Sequence, residues 1–203
     1  GSFARPYIPP IQGIEKFEGE ILHSAAYRSP EAFRDQKVLI VGEGNSGAQI
    51  LAEVSQHAQT TWLTSKEPSF LPDDVDGRVL FDRASALYAA QKLGKDYRPP
   101  SLGDIVMVPP VKEARDRGVL KARPAIERFE LREVILQNGE ALQADAVIFC
   151  TGFRPALDHL EALDIIEEDG RVLTKNTRAE KVAGLWLVGY GSWTGFASAT
   201  LIG

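Results

Sequence analysis

The sequence holds very few of the residues that form disulfides and metal sites. Its one cysteine is Cys150, and its three histidines, at positions 23, 57 and 159, lie far apart. A single cysteine cannot form an internal disulfide, and the histidines lack the short spacings of metal ligands. We therefore predict no metal site and a reducing, cytoplasmic compartment.

Long apolar runs and clusters of positive charge are also missing. No run approaches the roughly 18 residues of a membrane span, and no basic region followed by an apolar stretch indicates a signal peptide. The net charge is −5, from 23 basic and 28 acidic residues. These features argue against a membrane protein and against a nucleic-acid partner. What remains is an ordinary globular composition, because 44% of the residues are hydrophobic and 25% are charged.

One glycine-rich segment gives the first positive indication of function. Residues 42–47 read Gly-Glu-Gly-Asn-Ser-Gly and directly follow the apolar run 37–41. The pattern predicts a strand over 37–41, a helix over 45–57 and a returning parallel strand over 60–64. A G-x-G-x-x-G turn between a strand and a helix is the fingerprint of a dinucleotide-binding βαβ unit. An ordinary glycine-rich turn is the alternative.

Each glycine of this turn has a separate predicted purpose. Gly42 permits the tight turn, Gly44 leaves room for a pyrophosphate near the backbone, and Gly47 lets the helix approach the strand. The N–H groups at the start of the helix then face the phosphates. We assign Asn45 and Ser46, together with the three glycines, to pyrophosphate binding.

The residues after the second predicted strand decide between the two nicotinamide dinucleotides. An acidic residue there would bond the ribose 2′-hydroxyl of NAD and repel the 2′-phosphate of NADP. This chain has Ser65 and Lys66 instead, and their hydroxyl and ammonium groups favour NADP. Glu67 is adjacent and opposes that interpretation. The alternative is that Lys66 is an ordinary solvated loop lysine.

The rest of the pattern divides the chain into further elements. We predict helices over 81–93 and 112–117, a hairpin at Asn138-Gly139 between the runs 127–137 and 141–144, buried strands over 146–150 and 185–188, and the start of a helix over 197–202. The glycines at 189, 191 and 195 leave too little chain for a second βαβ unit of roughly 30 residues. Their turn could still offer N–H groups to a flavin held mainly by other residues.

Upstream of the glycine turn, the segment from Phe17 to Tyr27 follows the pattern F-x-G-x-x-x-H-x-x-x-Y. Taken alone, His23 is compatible with a structural hydrogen bond or with acid–base chemistry. As a pattern, the segment resembles the signature of flavin-containing monooxygenases, which in that family precedes the NADP-binding glycine turn. Residues 149–155, Phe-Cys-Thr-Gly-Phe-Arg-Pro, resemble the second hinge of the same family. The related Baeyer–Villiger enzymes carry tryptophan in place of Tyr27, which disfavours them.

The resemblance implies an α/β fold in two parts. One part is a Rossmann-like NADP-binding domain with a three-layer parallel sheet, over residues 1–150, with an N-terminal hinge over 1–28. The other is a partial FAD/NAD(P)-binding domain, the incomplete C-terminal part of an FAD domain, over 151–203. On this interpretation the predicted strands 146–150 and 185–188 are pieces of the FAD domain.

For the site, the resemblance assigns His23 and Tyr27 to shaping the NADP site rather than to proton transfer. It assigns Thr151 and Gly152 to cofactor contacts at the second hinge, and it identifies no catalytic residue. The implied activity is that of an FAD- and NADPH-dependent monooxygenase. In such enzymes NADPH reduces the flavin and O2 adds to form a flavin hydroperoxide. One oxygen atom then passes to a small-molecule substrate with a nitrogen, sulfur or arsenic nucleophile.

The sequence departs from this family in one large respect, and two alternatives stay open. The separate FAD fingerprint of the family is absent, so we expect an inactive fragment that exposes an apolar surface on its FAD side. We expect either self-association through that surface or disorder in residues 151–203. One alternative is a flavin-dependent disulfide reductase, which would need a C-x-x-C pair that one cysteine cannot supply. The other is a non-catalytic NADP-binding module.

Overall fold

The computed structural model describes residues 4–75, 104–190 and 192–194. The predicted helices over 81–93 and 197–202 lie outside these described residues. Within them the chain forms two units. The sheet unit comprises 8–75 and 104–151, and the terminal unit comprises 4–7 and the described residues from 152 onward. The chain passes from one unit to the other after Tyr7 and after Thr151.

Short strands and two α-helices make up the described part of the chain. In chain order the elements are β1 (Arg5–Pro6), β2 (Glu20–His23), β3 (Lys37–Val41), α1 (Asn45–Val54), β4 (Gln59–Thr64), α2 (Pro109–Asp116), β5 (Ala122–Pro124), β6 (Ile126–Phe129), β7 (Glu133–Leu136), β8 (Ala141–Gln143), β9 (Ala146–Phe149), β10 (Phe153–Arg154), β11 (Thr174–Lys175) and β12 (Arg178–Ala179). Short 3₁₀ helices lie at Ile14–Lys16, Pro30–Phe33, Asp158–Leu163 and Ser192–Thr194.

A five-stranded parallel sheet with the order β2-β9-β3-β4-β5 forms the centre of the sheet unit. Helix α1 connects β3 to its neighbour β4, as predicted. The registers pair Val41 with Leu63 on one side and with Phe149 on the other. All five strands therefore end at the same edge of the sheet, and the segment after β3 emerges between β4 and β9.

Both faces of this sheet are covered, which makes the unit a three-layer α/β structure. Val38 and Ile40 point to the face covered by α1 and α2. Leu39 and Val41 point to the opposite face, which packs against the antiparallel sheet β6-β7-β8. Because alternate residues of a strand face opposite sides, a strand buried on both faces reads as a continuous apolar run. This explains why residues 37–41 were recognisable in the sequence.

The glycine Gly47 sets how closely α1 lies on the turn that precedes it. A Cβ atom on residue 47 would overlap the carbonyl oxygen of Gly42 and would approach the indole nitrogen of Trp62 to 3.5 Å. Gly44, three residues earlier, differs in that a Cβ atom there would meet nothing within 4 Å. Its φ of −98° is open to any residue.

Several predicted elements are confirmed with shifted ends. Strand β3 covers 37–41 as predicted, and Gly139, at φ 84°, turns the hairpin between β7 and β8. Helix α1 stops at Val54, three residues before its predicted end, and Arg117 donates to the carbonyl of Ala52 in its last turn. Helix α2 begins at Pro109 rather than at 112, because proline fits the first turn of a helix.

Two strand predictions in the second half were wrong about pairing. The run 127–137 is not one strand, since residues 130–132 turn the chain and separate β6 from β7. Strand β9, predicted as a piece of the FAD domain, lies instead in the middle of the parallel sheet, between β2 and β3. Its pairing partners are more than 100 residues away in sequence, which local periodicity cannot reveal.

The prediction of a buried strand over 185–188 was wrong for a different reason. Only Trp186 is bridged there, to Arg178, and no strand is formed. Leu187 is buried, but Trp186 and Val188 are 59% and 62% exposed. The apolar run is therefore buried on one side only.

The terminal unit has a small core of its own and two short sheets of two strands each, β1-β10 and β11-β12. Strand β1 pairs with β10 in antiparallel fashion, and the N–H of Tyr7 donates to the carbonyl of Gly152 at 3.0 Å. The guanidinium of Arg154 lies 4.0 Å from the centre of the Tyr7 ring. Separately, Leu157, Leu160 and Ile165 pack with residues further along the chain.

Two further observations hold for the described ranges. None of their helices has the length and apolar character needed to cross a membrane. A search of the same ranges finds no group of three or more histidine, cysteine, aspartate and glutamate side chains arranged to hold a metal ion.

The packing at the glycine turn gives a stability prediction with an internal control. Gly47→Ala should lower the free energy of unfolding by about 1–3 kcal/mol, because backbone must move to relieve the overlap with Gly42. Gly44→Ala should change it by no more than about 0.5 kcal/mol, because the space is open and the φ value suits alanine. Urea unfolding of both variants measures the difference, and equal losses would contradict this packing.

Candidate functional site

The glycine turn stands at the carboxyl edge of the parallel sheet. Gly42 follows β3 with φ 130°, a conformation that favours glycine. Its N–H donates to the carbonyl of Leu63 at 2.9 Å, and its carbonyl accepts a 2.8 Å hydrogen bond from the buried indole N–H of Trp62. A Cβ atom on residue 42 would overlap the carbonyl oxygen of Cys150, just beyond β9. Strands on both sides therefore fix the turn.

The start of α1 is directed at open space beside Gly44. The first helical hydrogen bond runs from the N–H of Ala48 to the carbonyl of Gly44 at 3.1 Å. The N–H groups that precede it in a helix have no carbonyl one turn earlier to bond, so they and the helix dipole favour an anion. Because nothing lies within 4 Å of a Cβ on Gly44, a phosphate can approach this backbone. The predicted residues Gly42, Gly44, Asn45, Ser46 and Gly47 thus come together at one point.

The side chain of Asn45 is used for structure. Its Oδ1 accepts a hydrogen bond from the N–H of Val106 at 2.8 Å, and its Nδ2 donates to the carbonyl of Asp104 at 3.4 Å. These bonds hold the segment before α2 beside the start of α1. Asn45 therefore offers its backbone N–H to a ligand rather than its amide group. Ser46 is exposed.

Ser65 and Lys66 follow β4 at the same edge, and both are exposed. The hydroxyl of Ser65 donates to the Glu43 carboxylate, 3.2 Å from each of its oxygens. The structure thus brings Ser65 to the glycine turn, as the predicted site requires. Glu43 was not among the predicted residues, although its place between the first two glycines was a usable signal.

His23 lies at the carboxyl end of β2, and Tyr27 follows four residues later. His23 is 5% exposed at the carboxyl end of β2, and its Nδ1 accepts a hydrogen bond from the N–H of Ala25 at 3.1 Å. It lies at the same edge as Gly42, with β9 between their strands. Tyr27 donates its hydroxyl to Glu53 at 3.0 Å and stacks on Phe33.

Tyr27 meets α1 at the end away from the glycine turn. Glu53 is the ninth of the ten residues of α1, roughly 12 Å along the axis from its start. Burial first, and then the hydrogen bond to Glu53, raise the pKa of the Tyr27 hydroxyl above its usual value. The hydroxyl therefore stays protonated at neutral pH and acts as a donor. Its contact supports the helix rather than touching the turn.

Cys150, Thr151 and Gly152 follow β9. Burial raises the pKa of the Cys150 thiol to about 12, so the thiol is not a nucleophile at neutral pH. The N–H of Cys150 donates to the carbonyl of Val41 at 2.7 Å, which continues the β9–β3 pairing up to the glycine turn. Gly152 has φ 74° and belongs to the terminal unit, whereas Thr151 is the last residue of the sheet unit.

The donor set fits the pyrophosphate of a dinucleotide. It consists of backbone N–H groups at a helix start, an approach without side chains at Gly44 and a position outside the carboxyl ends of parallel strands. The sequence contains this fingerprint once.

Comparison with known proteins agrees with this geometry. A family model described as flavin-binding monooxygenase-like matches residues 1–78. Among solved structures, the flavin-containing monooxygenase from Stenotrophomonas maltophilia is similar, with a TM-score of 0.85 and 50% sequence identity. That match covers 100% of this chain and 56% of the other protein.

More distant relatives have several activities. The probable indole-3-pyruvate monooxygenase YUCCA8 of Arabidopsis thaliana is 26% identical, over 94% of this chain and 52% of that protein. Cyclohexanone monooxygenase from Rhodococcus sp. Phi1, solved with NADP+, shares the fold, with a TM-score of 0.51 at 15% identity over 85% of this chain and 49% of that one. The chain spans about half the length of the relatives it matches.

The family match also bears on what kind of protein this is. The relatives named above are enzymes, and their family implies FAD and NADP as cofactors. This agrees with an oxidoreductase rather than with a non-catalytic module. The family model over residues 1–78 and the 50% identity to a flavin-containing monooxygenase along the whole chain confirm that the chain resembles the flavin-binding monooxygenase-like family.

Proposed function

We propose that this chain supplies the NADPH-binding part of an FAD- and NADPH-dependent monooxygenase. The observation that supports this most strongly is the turn Gly42–Gly47, with its open approach at Gly44 and its helix start at the carboxyl edge of the sheet. Thr151 and Gly152 are also proposed to contact cofactor. A cytoplasmic location is proposed with it, on the single cysteine of the sequence.

The residues of the turn perform binding and orientation. The N–H groups of Asn45, Ser46 and Gly47 donate to the pyrophosphate, and the Ser46 hydroxyl adds a further donor. Ser65 and Lys66 bind the 2′-phosphate through a hydroxyl and an ammonium group. His23 and Tyr27 shape the site through β2 and α1 and move no proton. The flavin, when bound, supplies hydride acceptance and the activation of O2.

The substrate proposed is a small molecule with a soft nucleophilic atom, nitrogen, sulfur or arsenic. The test is made on the full-length protein loaded with FAD. NADPH oxidation is measured with an amine, a sulfide or a trivalent arsenical, and labelled O2 is followed into the product. One labelled oxygen atom per NADPH in one of these products supports the proposal. NADPH oxidation without any oxygenated product from all three would contradict the substrate class.

Replacing the open glycine tests the pyrophosphate site. Gly44→Val should abolish NADPH binding, because a branched side chain fills the approach that a phosphate needs. The fold should survive, because nothing lies within 4 Å of the new Cβ atom. NADPH titration and circular dichroism together check this result. Unchanged affinity in a folded variant would show that the pyrophosphate binds elsewhere.

Charge reversal at the end of β4 tests the 2′-phosphate assignment. Lys66→Glu should weaken NADPH binding roughly tenfold to a hundredfold, because one charge-assisted hydrogen bond is lost and a repulsion is added. NADH binding should change much less, because it lacks the phosphate. Parallel titrations with the two cofactors measure the effect. Equal losses would mean that Lys66 contacts another part of the dinucleotide.

The isolated 203-residue chain should self-associate through the terminal unit. Trp186 and Val188 are two residues apart in one segment, and both are more than half exposed. Exposed apolar surface of this kind favours association. The double substitution Trp186→Ser, Val188→Ser should shift the chain toward monomer in light scattering. Leu131→Ser is the control, since Leu131 is 60% exposed in the sheet unit. A monomeric unmodified chain, or an equal effect of the control, would contradict this.

A further inference from the structure

We infer that Glu43 is a specificity-determining residue, whose carboxylate lies where the adenosine ribose is recognised and reduces the preference for NADPH over NADH. The inference rests on the proposed function, since it concerns the same dinucleotide. It goes further by naming a residue that opposes the 2′-phosphate, and by predicting that both cofactors bind.

The first step is the position of Glu43. In a dinucleotide-binding βαβ unit, an acidic residue at the end of the second strand recognises the ribose hydroxyl. The residue after β4 here is Ser65, which is not acidic. The Ser65 hydroxyl nevertheless lies 3.2 Å from both oxygens of the Glu43 carboxylate. The acid missing at the end of the strand is therefore supplied by the glycine turn, 22 residues earlier.

The second step is the use of the Ser65 hydroxyl. A serine has one O–H group and so donates one hydrogen bond at a time. In this structure Ser65 gives that hydrogen bond to Glu43. A 2′-phosphate can only accept a hydrogen bond here. It can therefore bind the Ser65 hydroxyl only if that hydroxyl gives up its hydrogen bond to Glu43. A 2′-hydroxyl makes no such demand, because it can itself donate to the carboxylate.

The third step is the charge around this position. The residues concerned are Glu43 together with Lys66 and Glu67, both of which are exposed. They carry one positive and two negative charges. A 2′-phosphate has a charge of about −2 at neutral pH, so Lys66 attracts it while Glu43 repels it. The two effects oppose each other for NADPH, and neither acts on the uncharged 2′-hydroxyl of NADH.

A purely structural role for the Glu43–Ser65 bond makes a different prediction. If the bond only ties the two loops together, Glu43→Gln preserves it, because the amide oxygen of glutamine accepts the same hydrogen bond. The substitution removes the charge and keeps the acceptor. It therefore separates the electrostatic effect on the cofactor from support of the loops.

The experiment measures dissociation constants of NADPH and NADH on the full-length, FAD-loaded protein. Glu43→Gln should tighten NADPH binding roughly fivefold to tenfold, as expected when one surface charge that opposes a phosphate is removed. NADH binding should stay within about twofold or weaken. Glu67→Gln is the matched control, with the same change of charge on a neighbouring exposed carboxylate that Ser65 does not bond. It should change the ratio of the two constants less than about twofold.

Each other outcome overturns the inference in a recognisable way. An unchanged ratio in Glu43→Gln shows that Glu43 does not act on the ribose. An equal effect in Glu67→Gln shows a general charge effect without any role for the contact with Ser65. If the unmodified protein binds neither cofactor, the proposed function itself fails, which differs visibly from the first two results.

Discussion

The carbonyl group of Gly42 determines how the first helix meets the parallel sheet. Its oxygen accepts a 2.8 Å hydrogen bond from the buried indole N–H of Trp62 on β4. The same oxygen occupies the position that a side chain on residue 47 would need. The helix can therefore approach only because residue 47 is glycine. Close packing in a protein interior makes such a contact hard to relax, because neighbouring atoms have no free volume into which to move.

The position of the candidate site follows from this contact. Once α1 is held against the turn, its first N–H groups lie at the carboxyl edge of the sheet. Strand β3 pairs with both β4 and β9, and Val41 lies opposite Leu63 on one side and Phe149 on the other. The three strands therefore end at the same level of that edge. Helices cover one face of the sheet and the antiparallel strands β6-β7-β8 cover the other. The candidate turn is thus a partly exposed loop on a scaffold that is buried on both sides.

The sequence predicted the local parts of this arrangement well. An apolar run, three spaced glycines and a helical pattern depend on neighbours in the chain, so the bounds of β3 and the turn at Gly139 could be predicted. Pairing over long distances could not. Strand β9 is joined to β3 across more than 100 residues, and nothing in its own sequence names that partner. The apolar run at 185–188 led to a wrong prediction, because an apolar sequence does not show whether a segment is buried on one side or on both.

For the candidate site, too, local features could be predicted and long-range contacts could not. The fingerprint predicted the purpose of the glycines, but it did not predict which hydrogen bonds the other side chains make. Asn45 fits the pattern for a phosphate ligand, yet its amide holds Val106. The contact of Glu43 with Ser65 joins residues of two loops, and it depends on side-chain conformations that no spacing rule contains. The sequence pointed to the candidate site, and the structure was needed to show which contacts its side chains make.

The central claim is that the turn Gly42–Gly47 holds the pyrophosphate of the dinucleotide. A crystal structure of the full-length protein with NADP+ tests it most directly. The account predicts pyrophosphate oxygens about 2.7–3.2 Å from backbone nitrogens at the start of α1, next to Gly44. A dinucleotide bound with its pyrophosphate away from this helix start would contradict the account.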